Sequence, residues 1–327
     1  MKKTLLMASF LFLSTGLVME LSPNSSKAET PILVQQPADI TLPSAPSQSL
    51  QIQLENPGVE PRQQLQLKPN LGVKQTTTMV LKMEMGTSTP DKSMNMTKVP
   101  TMVLTIDTKA NKIDANGDIN YDFSYTQADV AGDTSTLPTA ALDAMRISLK
   151  RLVGLKGYAI MDSRGNHKKA EFILPEGADN NFKQMVQQMS KSLGQLSAPL
   201  PAEAVGKRAK WRISSPSNVS GINLNQIATY ELIGLQDGVV TLSITMKQEA
   251  KPQKLTLPQL PAGANVTLKS FASQGQGEVI MRLDQLMPVR SAVSMNSNSE
   301  MSVKVAGTRE ELTIKTKMLM EMNLDSK

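Results

Sequence analysis

From residue 75 onward the chain alternates. In 75–85 the odd positions Met79, Leu81, Met83 and Met85 are apolar, while Thr78, Lys82 and Glu84 lie between them. Period two is the mark of a strand with one buried face. Residues 98–108 repeat it with Met102, Leu104 and Ile106, and Met94 and Met96 share that parity. Residues 118–125, after a turn at Ala115-Asn116-Gly117, place Ile119, Tyr121, Phe123 and Tyr125 on one face. Beyond residue 210 nearly everything alternates. Residues 225–248 read as a hairpin turning at Asp237-Gly238. Further strands follow a Pro-rich loop at 251–264. The last, 311–324, sets Leu312, Ile314, Met318, Met320, Met322 and Leu324 against Thr313, Lys315, Lys317, Glu321 and Asn323.

Two stretches change period. Residues 137–153 carry Leu142, Met145, Leu149 and Leu152 at helical spacing, with Pro138 suited to a first turn. Residues 179–196 carry Phe182, Met185, Val186, Met189, Leu193 and Leu196 behind a cap at Asp179 or Asn180. Between them, 158–174 reads as a hairpin turning at 163–166. With no βαβ rhythm, the pattern predicts an α+β domain over 71–327. It is a large, curled, mainly antiparallel sheet of about 11–13 strands with two covering amphipathic helices. Half-barrel, sandwich and closed barrel all satisfy this pattern.

The N-terminal part is different. Residues 1–28 have a basic start (Lys2, Lys3), an apolar core from Leu5 to Met19 and a small-x-small site at Ser26-Lys27-Ala28. That is the layout of a cleaved signal peptide, and it predicts a periplasmic or secreted protein. An uncleaved anchor is the alternative. Residues 29–70, rich in Pro, Gln and Ser, read as a disordered linker.

Composition narrows the function. The chain has 327 residues, a formal charge of +6, one His and no Cys. The absence of Cys removes both a disulfide framework and a lipoprotein-type anchor. With one His besides, the usual zinc sets are gone. His167 lies beside Lys168 and Lys169 and reads as a solvated turn residue. Asp114, Asn116 and Asp118 resemble a calcium loop but lack its distal Glu, so a polar turn is expected. Gly275-Gln276-Gly277-Glu278 fails as a phosphate loop. No basic run and few aromatics argue against nucleic acid. Nothing singles out a catalytic residue, and no enzyme activity and no cofactor are expected.

What stands out is methionine, 21 residues with three in the leader. One reading is a hydrophobic cavity lined by Met79, Met83, Met85, Met102, Met318, Met320 and Met322 and closed by Met145, Met185 and Met189. Unbranched, polarizable Met adapts to apolar partners such as lipid or isoprenoid tails. A second is a copper module, with Met83, Met85, Met320 and Met322 as thioether ligands for a soft cation. A third is plain core filler, leaving a structural or interaction domain. The partners expected are therefore a hydrophobic small molecule, an envelope protein or a membrane surface.

The stretch 201–213, with Pro201, Glu203, Val205, Gly206, Ala209 and Trp211, resembles an exported, cyanobacterial-type bacterial family with no assigned activity. The late Gly275 and Gly277 fit the same pattern. The resemblance spans residues 70–324 and implies an exported β-rich domain without adding a catalytic residue. In element content the chain also resembles lipoprotein carriers of the LolA type and mycobacterial lipid carriers. Those are unclosed half-barrels whose helices plug a mouth that holds acyl chains, a likeness of fold alone.

Overall fold

The computed structural model describes residues 51–327 apart from 136, 194–198, 220–221, 256–264 and 305–310. The leader at 1–28 and the linker up to residue 50 lie outside the described residues.

The alternating segments are strands. In chain order they are β1 (Gln51–Asn56), β2 (Lys74–Thr89), β3 (Lys92–Ile113) and β4 (Ile119–Ala131), then α1 (Thr139–Lys150), β5 (Lys156–Met161), β6 (His167–Ile173) and α2 (Asn180–Leu193). After these come β7 (Lys210–Val219), β8 (Ile222–Gln236), β9 (Val239–Ala250), β10 (Gln253–Leu255), β11 (Asn265–Arg282), β12 (Arg290–Lys304) and β13 (Glu311–Ser326). All thirteen join one antiparallel sheet in the order β1-β7-β8-β9-β11-β12-β13-β2-β3-β4-β5-β6, with β10 beside β11. Every step but one between β7 and β13, and every step from β2 to β6, joins chain neighbours. The exception is β9 to β11, across the short β10. The join that makes one sheet of two halves is β13 on β2, Met320 facing Met83.

The turn residues act as expected. Asp237 (φ 50°) and Gly238 (φ 74°) both take positive φ, as a two-residue hairpin turn requires. Asp179 caps α2, its Oδ1 accepting the Phe182 N–H at 2.8 Å. Helix α1 buries Leu142, Met145 and Leu149 and packs on β4. Helix α2 buries Phe182 and Val186 and packs along β6, where the Ser190 hydroxyl donates to the Ala170 carbonyl at 3.2 Å.

The sheet is open, yet its two edges come together. Residues 57–70, which composition assigns to the linker, form a strap between them. The Val59 N–H donates to Lys207 O, and Gln63 pairs with Val205 just before β7. Four residues on, the Leu67 N–H donates to Ser163 O in the β5–β6 turn. Four residues reach at most about 14 Å, so the sheet must curl to bring these points so close. Leu65 and Leu67 are buried beneath the strap, and β1 adds an edge strand on β7. Pro, Gln and Ser content misleads here because a strap needs only a few apolar anchors and satisfied backbone groups.

The stretch 201–213 explains how the strap is seated. Val205, Ala209 and Trp211 are fully buried. The Gly206 N–H donates to Pro57 O. A Cβ on Gly206 would collide with the Val59 carbonyl oxygen, so only glycine lets the two backbones meet. Trp211 stacks on its cross-strand partner Tyr230, with centroids 5.6 Å apart and planes within 8°. Its indole N–H donates to Pro199 O, the partner a buried Trp needs. Burial holds the Tyr230 hydroxyl neutral, its pKa raised to about 12.

Candidate functional site

Directly opposed residues of an antiparallel sheet share a face, so register decides which methionines meet. One row crosses seven strands as Ala228, Met246, Gly275, Met295, Met320, Met83 and Val99. The next, two residues along each strand, reads Gln226, Gln248, Ser273, Ser297, Met318, Met85 and Thr97. A third runs Phe271, Ser299, Thr316, Thr87 and Asn95. On the far side of the methionine row, Val293, Met322, Leu81 and Met102 form a fourth.

Burial identifies this as the inner face. Met83, Met102, Met318 and Met320 are buried, whereas Met79, Met85 and Met322 are partly so. Toward the β2–β3 hairpin the same face opens, and Thr87, Asn95 and Thr97 are exposed. Of the residues predicted to line a cavity, the seven on strands therefore share one surface. Met145 is fully buried on α1, and Met185 and Met189 are partly buried on α2. Their helices pack mainly on β4 and β6, two and four strands beyond β2. They join the same hydrophobic core as the strand methionines.

Two methionines that parity assigns to the inner face lie on the other. Between the pairs Leu81–Met102 and Met83–Val99, β3 holds one extra residue. This bulge, at the buried Pro100, reverses the alternation for everything before it. Met96 and Met94 therefore cover Gly86 on the outer face, and Met96 is 38 % exposed. Met246 and Met295 escape a parity reading for the converse reason. They meet over Gly275, where an added Cβ would lie 3.1 Å from Met246 Cε and 2.9 Å from Met295 Cγ. A glycine inside a strand is the available signal for such a close approach.

In two polar pairs on this face the partners are hydrogen-bonded to one another. Gln248 Nε2 donates to Gln226 Oε1 at 2.7 Å, and Ser297 Oγ donates to Ser273 Oγ at 2.8 Å. Ser299 Oγ and Thr316 Oγ1 are buried, face each other across β12 and β13, and have no partner among the described residues. A buried hydroxyl left unsatisfied costs about 1–3 kcal/mol, so these two mark a place where the fold alone does not meet its own hydrogen bonds.

The other sequence candidates resolve into structure. His167 is not solvated: its Nε2 lies 2.7 Å from the buried Tyr121 hydroxyl. Burial lowers its pKa, opposed by the charge of Asp162, and burial raises that of Tyr121. Both rings are therefore neutral at neutral pH. Asp114 accepts the Asn116 and Asp118 N–H groups, and Asp118 pairs with Lys168, which makes a polar turn. Glu171 is buried between Lys169 and Tyr158 and is held below the usual carboxylate range by their hydrogen bonds. Among the described residues no three His, Cys, Asp or Glu side chains group as a metal site, and no helix is long and apolar enough to cross a membrane. A cleft of 390 Å³ lies beside the strap, lined by Gln63, Gln64, Lys68, Asp237 and the Arg282–Asp284 pair.

No family model and no curated protein matches this chain.

Proposed function

We propose that this is an exported, non-catalytic protein that binds a hydrophobic ligand of lipid or isoprenoid type on the inner face of its curled sheet. The carrying observation is the composition of that face. Methionines of β9, β12, β13 and β2 share one row that Gly275 of β11 leaves open, and beside them lie two buried hydroxyls without partners among the described residues. Next to those hydroxyls is a mouth lined by Thr87, Asn95 and Thr97. Methionine side chains repack around apolar guests more readily than branched ones, so a tail can be admitted where the ligand-free core closes. On this reading the open sheet works as a half-barrel, in the manner of the lipid carriers that the sequence resembles in element content. The signal-peptide pattern supports a place in the periplasm or outside the cell.

Native mass spectrometry of the mature protein, purified from an exporting host without detergent, tests this. A heterogeneous excess mass that extracts into organic solvent supports the reading. A bare mass, together with no uptake of the apolar fluorophore N-phenyl-1-naphthylamine, removes it.

A second reading draws support from register. Met246, Met295, Met320 and Met83 bring four thioethers into one row, and thioether sulfur is a soft ligand suited to Cu(I). The four residues that spacing assigns to copper are less compact. Met83 faces Met320, but Met85 faces Met318 and Met322 faces Leu81. Anaerobic Cu(I) titration against a chromophoric chelator distinguishes the two readings. One tight equivalent, lost in Met320→Leu with Met295→Leu, would replace the lipid reading.

A further inference from the structure

The inner-face rows carry information about the ligand's polar end as well as its tail. Resting on the hydrophobic-ligand reading, we infer that the ligand bears an uncharged head with a hydrogen-bond-accepting oxygen (an ester, ketone or alcohol) held by Ser299 and Thr316.

Three observations lead there. First, Ser299 is 7 % and Thr316 4 % exposed, they are opposed in register, and neither hydroxyl has a partner among the described residues. Opposed side chains stand about 5 Å apart at Cβ, so one oxygen between them can accept from both. The neighbouring polar pairs, Gln226–Gln248 and Ser273–Ser297, already satisfy one another. Among the described residues, these two hydroxyls are the buried side-chain polar atoms left with no hydrogen-bond partner of either kind.

Second, no Asp, Glu, Lys or Arg occurs in the row of the pair or in the two methionine rows beside it, and Lys92, opposite Thr89 at the hairpin end of this face, is exposed. The nearest charges along the strands, Glu300, Lys315 and Lys317, alternate onto the opposite face. There Glu300 and Lys315 pair at 3.7 Å. An ionised carboxylate or phosphate brought to Ser299 would lose its water and meet no counter-charge, which is far less favourable than burying a neutral carbonyl that finds two donors. The lining therefore selects against ionic heads.

Third, the pair lies between the mouth and the apolar rows. Thr316 faces the exposed Thr87 on β2, while Met318, Met320 and Met322 follow along β13. From Thr316 to Met322 the strand rises about 20 Å, a run over which a tail can lie with its head kept near the entrance.

Displacement of bound N-phenyl-1-naphthylamine tests the inference, using a series with one tail and different heads: hexadecane, hexadecanol, methyl palmitate and, in mildly alkaline buffer, palmitate. Methyl palmitate and hexadecanol should displace the probe at concentrations at least about tenfold below those needed for hexadecane or palmitate, equivalent to about 1.4 kcal/mol. In the Ser299→Ala, Thr316→Val double variant that advantage over hexadecane should vanish while the probe still binds, with an unchanged circular dichroism spectrum showing the fold intact. Palmitate binding as tightly as its methyl ester overturns the inference. So does an ester advantage that survives in the double variant. If the wild-type protein binds no probe and carries no extractable mass, the hydrophobic-ligand reading itself falls, an outcome distinct from binding without head preference.

Discussion

Around Trp211 and across the methionine rows, one sheet is packed in two ways. The Trp211 side is fixed by backbone: the strap docks through Gly206, the indole is hydrogen-bonded, and the stacked Tyr230 leaves no slack. On the methionine side the neighbours that meet are flexible side-chain ends, two hydroxyls lack partners among the described residues, and the face opens to solvent at Thr87 and Asn95. Rigid complementarity holds the first region in a single arrangement. The second can change its packing without moving the backbone, which is the property a binding surface needs.

The sharpest way to break this contrast is to remove its anchor. Trp211→Ala should destabilise the protein by about 3–5 kcal/mol, read as a lower urea midpoint. Equal stability in the variant would mean that the strap region is no firmer than the rest. A like-for-like comparison comes next. Gly206→Ala forces a Cβ against the Val59 carbonyl and should cost about 3 kcal/mol, the upper end for overpacking. Gly275→Ala meets two methionine side chains and, at 3.0 Å, the Ser294 carbonyl oxygen, looser contacts than those at Gly206, and should cost about 1 kcal/mol. Reversal of that order in denaturant titrations would refute the contrast.

Smaller still is Ser299→Ala in ligand-free protein. Deleting a buried hydroxyl that the fold leaves unsatisfied should keep stability unchanged or raise it by about 1 kcal/mol, whereas a loss would reveal a bond that the hydroxyl makes within the fold. The least effect concerns His167. Its folded pKa lies below the ordinary 6.5 because the ring is buried, so the unfolded chain binds the proton more readily. Its contribution is fully present above pH 6.5 and is lost as pH falls from there through the folded value. His167→Gln should flatten the upper part of that acid limb in the stability profile. A limb that keeps its full slope in the variant would assign it to other groups.

Much of this fold is legible in the chain. Alternation locates the strands of both halves, Asp237-Gly238 marks its own turn, and the helical stripes of α1 and α2 emerge with Asp179 as cap. Those signals are local. Strand order is not, since nothing within β9 or β12 says that Met246 and Met295 will share a row with Met83. The bulge at Pro100 reverses Met94 and Met96 because parity counting assumes an unbroken ladder. A proline inside an alternating run is the available warning. Composition misassigns residues 51–70, although Ile52 and Leu54, then Leu65 and Leu67, carry a short period-two pattern. The unsatisfied hydroxyls could not be foreseen, because burial and pairing of Ser299 and Thr316 depend on neighbours supplied by other strands.

The placement of β13 between β12 and β2 also has a bearing on biosynthesis. A ribosome that has made the chain through residue 310 has produced two half-sheets, β2 to β6 and β1 with β7 to β12, without the strand pairing that makes them one sheet. The pairing that unites them links the last strand of the chain to the second, the kind of non-local contact that slows folding. Until β13 emerges, the nascent polypeptide carries two raw strand edges, β12 and β2, either of which can template intermolecular pairing. A stop codon shortly before Glu311 would release that unfinished state permanently.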